Sequence, residues 1–518
     1  MDPIHTTLLL LLFATVMFAW EKIPLAVTSV IVCLTLAITG VLDPKTAFHG
    51  FVDPNVILFV SMFVVGAALF ETGMANKIGG LVTRFAKNET QLTVALMTIA
   101  AILSGALSNT GTAAVLIPVV IGIASRPGIS RSRLLMPMAF ATAIGGNLTL
   151  IGSPSNLIAQ SALQSIDKGF SFFEYAKIGI PMLFVGILFF IGHGRRLLPT
   201  RDEASDHGDS PGLRAPPSGT PVPQHPSQRV ESGPSVATAA RPPDGTQPAT
   251  IAEPHASDAM IPAGYVPAQQ AVPAETSAAP SEHVMPAGPK SPAPRKEPMI
   301  PLSALNVEKE FRRPPPPWKQ LLSLLILLGT IMGMVFERQL GLPLHLIGAV
   351  GAILLVVTGI LTEQQAYSAI DSRTIFIFGG TLSLAAALDQ TGAGATIANT
   401  IIQMLGTHPS PVLLLVVIFS LACILTNFMS NTATAALLAP IGLSIANTLG
   451  ADPRAMLMAI VIGCSCAYAT PVATPANTMV LVAGRYRFMD YVRAGVPLIV
   501  VMALICIPAL LYFFPFYP

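Results

Sequence analysis

The tripeptide Ser-Asn-Thr occurs twice in the sequence, each time within a long apolar stretch. Residues 108–118 read SNTGTAAVLIP and residues 430–440 read SNTATAALLAP, and the two segments match at eight of eleven positions. An asparagine in the middle of a membrane is expensive unless it has partners. A helix broken there would also leave backbone carbonyls and amides without helical partners. Carbonyl and hydroxyl oxygens suit a small cation such as sodium, whereas amides at a helix N-terminus suit an anion.

A hydroxyl residue lies four positions before each serine of this motif. The pairs are Ser104 with Ser108 and Thr426 with Ser430. If a helix runs into the motif, residues four apart share one of its faces. Each motif therefore predicts a cluster of neutral oxygens. The alternative interpretation is that these residues only hold packed helices together, and their symmetric recurrence argues against it.

A second interruption follows each motif. Residues 145–156 read GGNLTLIGSPSN and residues 473–477 read ATPAN. Pro154 and Pro475 remove an amide donor and disfavour helix in the preceding residue. Spans broken by Gly or Pro at corresponding positions of two halves indicate a transporter's binding site, although a simple proline kink is the alternative. We expect Asn156 and Asn477 to cap the half-helices that restart there.

The composition excludes a soluble globular enzyme. The 518 residues are 52% hydrophobic and 11% charged, with a mean hydropathy of +0.65, whereas soluble chains carry about 25% charged residues. A net charge of +2 gives no reason to expect a nucleic-acid partner. The five cysteines all lie in apolar stretches and predict core residues rather than a disulfide or zinc framework. No nucleophile–base pair, phosphate loop or metal-ligand spacing indicates an enzyme.

Composition also divides the chain into three regions. Residues 1–200 and 318–518 are apolar and predict two membrane repeats, whereas residues 201–317 hold 25 of the 46 prolines and predict a disordered linker. A span needs about 20 apolar residues. The candidate spans are 5–20, 23–42, 54–72, 134–164 and 176–194 in the first half, and 319–336, 343–361, 373–389, 455–484 and 495–513 in the second.

The two Ser-Asn-Thr stretches, residues 90–124 and 410–446, are predicted to be re-entrant hairpins. Five crossings per repeat then invert the second repeat relative to the first. With the N-terminus outside, most basic loop residues lie in the cytoplasm, as the positive-inside rule requires. The sequence thus predicts an all-α polytopic membrane protein with two inverted repeats, each of five transmembrane helices plus one re-entrant hairpin, with helices broken at the midplane. Both termini would lie outside and the linker in the cytoplasm.

At these motifs the chain resembles the divalent anion:sodium symporter family of the ion transporter superfamily, whose members carry di- and tricarboxylates and sulfate. The resemblance covers both halves and excludes the linker. It rests on Ser108-Asn109-Thr110 with Ser153-Pro154, and on Ser430-Asn431-Thr432 with Thr474-Pro475. It implies one sodium site per repeat, formed by Ser104, Ser108, Asn109 and the carbonyl of Gly152 in the first, and by Thr426, Asn431 and the carbonyl of Ala473 in the second. It implies an anionic substrate between the tips, bound by Asn109, Thr110, Ser153, Asn431, Thr432 and Thr474.

The resemblance further implies an importer of a small divalent anion that uses sodium as its coupling ion and no organic cofactor. It implies a homodimer in the cell (inner) membrane, in which a transport domain slides past a scaffold. The sequence Ser-Pro-Ser at the first break, where relatives often have Thr-Pro-Pro, leaves the substrate open between a dicarboxylate and a sulfate-like anion. One alternative is a proton-coupled or arsenite-type efflux carrier of the same superfamily. Another is a membrane scaffold whose Pro-rich linker recruits partners.

Overall fold

The computed structural model describes residues 2–20, 22–80, 88–124, 129–199, 316–406 and 409–517. All regular secondary structure within these ranges is helical. The predicted linker, residues 201–317, lies outside the described residues except for its last two positions.

Within each half, the described α-helices follow one another with short connections. Those of the first half are α1 Pro3–Trp20, α2 Leu25–Ile38, α3 Pro44–His49, α4 Pro54–Glu71, α5 Met74–Gly80, α6 Glu89–Ala106, α7 Asn109–Ala124, α8 Arg131–Gly145, α9 Pro154–Gln164, α10 Ala176–Phe189 and α11 Arg195–Leu197. Those of the second half are α12 Pro317–Val335, α13 Glu337–Leu340, α14 Leu344–Val357, α15 Glu363–Ala369, α16 Ser372–Thr391, α17 Ala393–Leu405, α18 Pro411–Thr426, α19 Asn431–Leu449, α20 Pro453–Ser465, α21 Pro475–Ala483 and α22 Phe488–Phe513.

The predicted multi-pass helical membrane fold is confirmed. Seven stretches of the described chain are long and apolar enough to cross a bilayer, and six shorter apolar helices accompany them. Both predicted hairpins are helix pairs, α6 with α7 and α18 with α19. Both predicted broken spans are also helix pairs, α8 with α9 and α20 with α21. The short helices α3, α5, α13 and α15 were not predicted, because elements of this length carry little periodicity. Helix α17 was not predicted either, because its 13 residues are fewer than a membrane span requires.

The helices of the two halves correspond in order and exchange contacts reciprocally. Helix α2 packs against α16, and its counterpart α14 packs against α4. Likewise α9 packs against α19, and its counterpart α21 packs against α7. Reciprocal contacts of this kind are typical of two units related by a two-fold axis. One large hydrophobic core and a smaller one near α1, α2, α16 and α17 lie between these helices.

Polar contacts tie the beginning of the first broken element, α8–α9, to the end of the second, α20–α21. The hydroxyl of Tyr486, which follows α21, donates to the carbonyl of Ser132 and accepts from the Met136 amide in α8. Beside them at the start of α8, Arg133 contacts Glu89 at 3.6 Å, and Arg195 also pairs with that carboxylate.

The opposite ends of the same two elements also meet. Lys168, just after α9, lies 3.7 Å from Asp452, which caps α20. Arg454 in α20 lies 3.6 Å from Glu174. The end of α9 therefore lies at the start of α20, so the two broken elements run antiparallel.

Candidate functional site

The two hairpin tips are formed where one helix ends and the next begins. Helix α6 ends at Ala106, and Ser108 accepts a hydrogen bond of 3.1 Å from the Gly111 amide. Helix α18 ends at Thr426, and Ser430 accepts one of 3.2 Å from the Ala433 amide. The expectation that each hydroxyl pair shares one helix face is wrong, because the first helix ends before the serine. Each serine instead caps the second helix of its hairpin.

A cluster of three oxygens lies at the first tip. The hydroxyl oxygen of Ser104 is 2.6 Å from Asn109 Oδ1 and 2.7 Å from the carbonyl oxygen of Thr142 in α8. A serine hydroxyl carries one hydrogen, so it can donate to only one of these two oxygens. The other contact brings two oxygen lone pairs together without a shared proton, unless the Asn109 amide is turned over. A bound cation would favour the unturned arrangement.

The second tip repeats this cluster. The hydroxyl oxygen of Thr426 is 2.8 Å from Asn431 Oδ1 and 2.9 Å from the carbonyl oxygen of Cys464 in α20. Each of these three residues is separated from its counterpart at the first tip by one constant sequence offset. The Ser104 and Thr426 side chains are both fully buried. Two equivalent clusters of neutral oxygens thus lie at the two tips.

Close backbone packing brings further predicted residues to the first cluster. A Cβ atom added at Gly146 would lie 2.9 Å from Asn109 Oδ1 and 3.2 Å from the carbonyl oxygen of Gly152. The backbone of Gly146 therefore touches both Asn109 and Gly152, and Ser104 bonds to the same Asn109. In the second repeat, Ala473 is buried in the break. No hydrogen bond between described residues joins it to Thr426 or Asn431.

In each break, an asparagine side chain from the following helix donates hydrogen bonds to backbone carbonyls of the break. Asn156 Nδ2 donates to the carbonyls of Gly146 and Thr149, both at 2.8 Å. In the second break, Asn477 Nδ2 donates to the carbonyls of Ala467 at 2.8 Å and Thr470 at 3.1 Å. These bonds fix the direction of carbonyls that no longer belong to a helix ladder.

The expectation that Asn156 and Asn477 cap the restarting helices is therefore wrong. The N-cap residues are Ser153 and Thr474, and the prolines at the following positions start the helices. The asparagines lie in the first turn instead, where their side chains face the break. The Tyr175 hydroxyl donates to the backbone carbonyl of Asn156 at 3.0 Å, and the Tyr491 hydroxyl donates to that of Asn477 at 2.7 Å. The tyrosine–asparagine contact is therefore also duplicated.

The residues predicted to contact substrate lie around the same two tips. Thr110 is exposed on the first turn of α7, and Thr432 is half-buried on the first turn of α19. Ser153 and Thr474 are buried at the starts of α9 and α21. A cavity of about 50 Å³ lies beside the first tip, between helix α4, Ser108 and the break at Gly152. By size it has room for a few waters or a small ion, although Ser108 carries the one polar side chain among the residues that line it.

Three groups of the two clusters were missed from the sequence. The carbonyls of Thr142 and Cys464 accept hydrogen bonds at the tips, and Gly146 closes the first cluster. Every residue type has a backbone carbonyl, so a carbonyl ligand cannot be recognised from its residue type. The one available signal was position, since Thr142 and Cys464 both lie just before a break at equivalent places of the repeat.

Comparison with known proteins assigns the family. The sequence model of the citrate transporter family, CitMHS, matches residues 15–344 and 331–517. The Escherichia coli uncharacterized transporter YfbS is 27% identical and aligns over 98% of both chains. The Caenorhabditis elegans sodium-dependent high-affinity dicarboxylate transporter 3 is 26% identical over 36% of this chain and 37% of its own.

A solved structure shows the same fold. The Alcanivorax borkumensis YdaH transporter superposes with a TM-score of 0.54 at 14% identity, over 98% of both chains. These relatives are transporters rather than enzymes, in agreement with the prediction from composition. With a family match that spans both helical halves, this chain belongs to the citrate transporter family of membrane transporters.

Proposed function

We propose that this transporter imports a small divalent anion together with sodium ions. The observation that carries the proposal is the duplicated oxygen cluster, formed by Ser104, Asn109 and the Thr142 carbonyl at one tip and by its equivalent at the other. Hydroxyl, amide and carbonyl oxygens are hard, neutral ligands, and unwound carbonyls at broken helices are a recurrent means of binding sodium in transporters. Gly152 and Ala473 would add carbonyls, and Ser108 its hydroxyl.

Sodium is favoured over a proton as the coupling ion by the chemistry of the ligands. None of the side chains that form the two clusters carries a carboxylate or an imidazole, so none of them titrates near neutral pH. A proton-coupled carrier would need such a group at the site. The name of the dicarboxylate transporter from Caenorhabditis elegans supports sodium coupling by analogy.

The anion would bind where the tips offer amides and hydroxyls. Helices α7 and α19 begin at the tips, and α9 and α21 begin at the breaks. The positive ends of their dipoles favour negative charge there. Asn109, Thr110 and Ser153 would contact it from the first repeat, and Asn431, Thr432 and Thr474 from the second. Bringing a dianion into a cell that is 100 mV negative costs about 4.6 kcal/mol. Two sodium ions cancel that charge, and a third would drive uptake.

The proposed topology is two inverted repeats, residues 1–200 and 318–518, joined by a cytoplasmic linker. The antiparallel course of α8–α9 and α20–α21 supports the inversion. Arg133 and Arg195 contact the same carboxylate at one end of these elements, and Lys168 and Arg454 lie at the other. That division supports two opposite faces. The cytoplasmic position of the linker and the outer position of both termini rest on the positive-inside rule.

The depth of the tips supports re-entrant hairpins. The tips contact Thr142 and Cys464, which lie just before the two breaks. These residues are therefore in the middle of the two broken elements and not at their ends. Because α8 and α9 together rise about 39 Å at 1.5 Å per residue, a tip at their junction lies far from either membrane surface. We further propose a homodimer in the inner membrane with an elevator-type movement, as the resemblance implies.

The proposal is tested by uptake into proteoliposomes. Labelled succinate, citrate and sulfate are supplied in turn, with an inward sodium gradient or with potassium in its place. We expect uptake of one of these anions only with the sodium gradient, and competition by its unlabelled form. Uptake that needs a pH gradient and ignores sodium would contradict sodium coupling and favour the proton-coupled or efflux carrier.

A further inference from the structure

A buried hydrogen bond joins the two breaks to each other. Ser465 Oγ, at the end of α20, lies 2.9 Å from Asn147 Oδ1 in the first break, across 318 positions of sequence. Asn147 is fully buried and Ser465 is 2% exposed. Asn147 Nδ2 is buried and has no hydrogen-bond partner among the described residues. Turning this amide over keeps the link to Ser465, because the hydroxyl can also accept.

Both ends of this bond lie one residue from an oxygen cluster. Asn147 follows Gly146, whose backbone touches Asn109. Ser465 follows Cys464, whose carbonyl accepts from Thr426. The two clusters are therefore connected through the backbone from Gly146 to Asn147, the hydrogen bond between Asn147 and Ser465, and the backbone from Ser465 to Cys464. A shift of either break is transmitted to the other through that bond.

Tyr468, the residue of the second break that corresponds to Asn147, also contacts the first broken element, but through its ring and without a hydrogen bond to the described residues of that element. Gly179 packs on the carbonyl of Asn147, and Gly495 packs in the same way on the carbonyl of Tyr468. Tyr468 therefore occupies the place of Asn147 in the second break, and its ring lies 4.9 Å from that of Phe140 in α8. The two breaks thus hold each other reciprocally, and of these two contacts only the one through Asn147 carries a hydrogen bond.

We propose that Asn147 and Ser465 are positioning residues that couple the two sodium clusters. A cation that orders one break favours the cation-binding arrangement of the other, because the bond between Asn147 and Ser465 holds the two breaks in register. The coupling is then a free energy shared by the two sites. The inference rests on the proposed sodium symport, and it assigns a role to two residues that are not ligands in that proposal.

The test compares Asn147→Ala, Ser465→Ala and the double variant with the unchanged protein. Anion uptake is measured against sodium concentration, and the melting temperature of purified protein is measured over the same concentrations. We expect the unchanged protein to give a Hill coefficient of about 2. Each variant should give a value of about 1, with a half-saturating sodium concentration about 5-fold higher. The double variant should be no worse than the worse single variant, because both remove one bond.

Ser61→Ala is the matched control. Ser61 is also buried, and its hydroxyl donates to the carbonyl four residues earlier, Ile57, at 2.7 Å. Ser465 has the same kind of contact with Val461 at 3.1 Å in addition to Asn147. Ser61→Ala therefore removes only the bond inside a helix, and its sodium curve should match that of the unchanged protein. If the alanine variants fail to fold, Ser465→Cys keeps the size and weakens the bond, with the same loss of cooperativity expected.

Two results overturn the inference while sodium-driven uptake is intact. One is a Hill coefficient that stays near its original value in both single variants. The other is an unchanged protein whose uptake depends on sodium hyperbolically. Uptake by the unchanged protein that ignores sodium altogether would overturn the proposed function itself, so the two failures are distinguishable.

Discussion

Replacing Gly146 by alanine should weaken sodium binding without unfolding the protein. The backbone of Gly146 has φ −56° and ψ −22°, which alanine adopts without strain. The added Cβ, however, would lie 2.9 Å from Asn109 Oδ1, 3.2 Å from the Gly152 carbonyl oxygen and 3.3 Å from Asn109 Nδ2. Ordinary contact begins at 3.4 Å, so the Asn109 amide must retreat by about 0.5 Å, which is the tolerance of a preorganised site.

The magnitude follows from this displacement. A misplacement of about 1 Å can cost about 100-fold in activity, so a shift of half that size should raise the half-saturating sodium concentration by about 10-fold. The crowding should cost about 1–3 kcal/mol of stability at most. Uptake against sodium concentration measures the first effect, and thermal unfolding of the purified protein measures the second.

Gly122→Ala is the matched control for this substitution. Gly122 lies in α7 of the same hairpin, and a Cβ there would meet nothing within 4 Å. Its sodium dependence should equal that of the unchanged protein. If Gly146→Ala also leaves the sodium curve unchanged while the protein is folded, the cluster of Ser104 and Asn109 does not bind the coupling ion.

Three other perturbations separate the parts of the account. Asn109→Ala or Asn431→Ala should reduce uptake to background while the protein elutes as a folded species, and normal uptake by either would remove that asparagine from the site. Ser104→Ala and Thr426→Ala should raise the half-saturating sodium concentration more than the half-saturating anion concentration. Thr426→Ser keeps a hydroxyl and should behave like the unchanged protein. Equal shifts for sodium and the anion would count against a cation role. Deleting residues 205–310 should leave uptake in place, because the linker lies outside the residues that form the site, whereas loss of uptake in a folded, membrane-inserted deletion variant would favour the scaffold interpretation.

The positions of the long helices could be predicted because a membrane span requires about 20 apolar residues and leaves a plain signal. The breaks could be predicted because Pro154 and Pro475 cannot continue a helix. Asn109 and Asn431 could be recognised because a polar amide at equivalent positions of two apolar repeats indicates a shared function.

Contacts made by backbone atoms could not be predicted. The carbonyls of Thr142 and Cys464 complete the clusters, yet any residue type supplies a carbonyl. The helix face expected for Ser108 and the capping role expected for Asn156 were wrong for a related reason. Capping depends on the residue at which a helix ends, and sequence patterns place helix ends least well.

The most direct test of sodium coupling is to follow labelled sodium and the labelled anion into the same proteoliposomes. If sodium is the coupling ion, the transported anion should stimulate sodium entry and sodium should stimulate anion entry. Both fluxes should disappear in Asn109→Ala and Asn431→Ala. Anion entry that carries no labelled sodium, in vesicles whose protein is folded and active, would contradict the account.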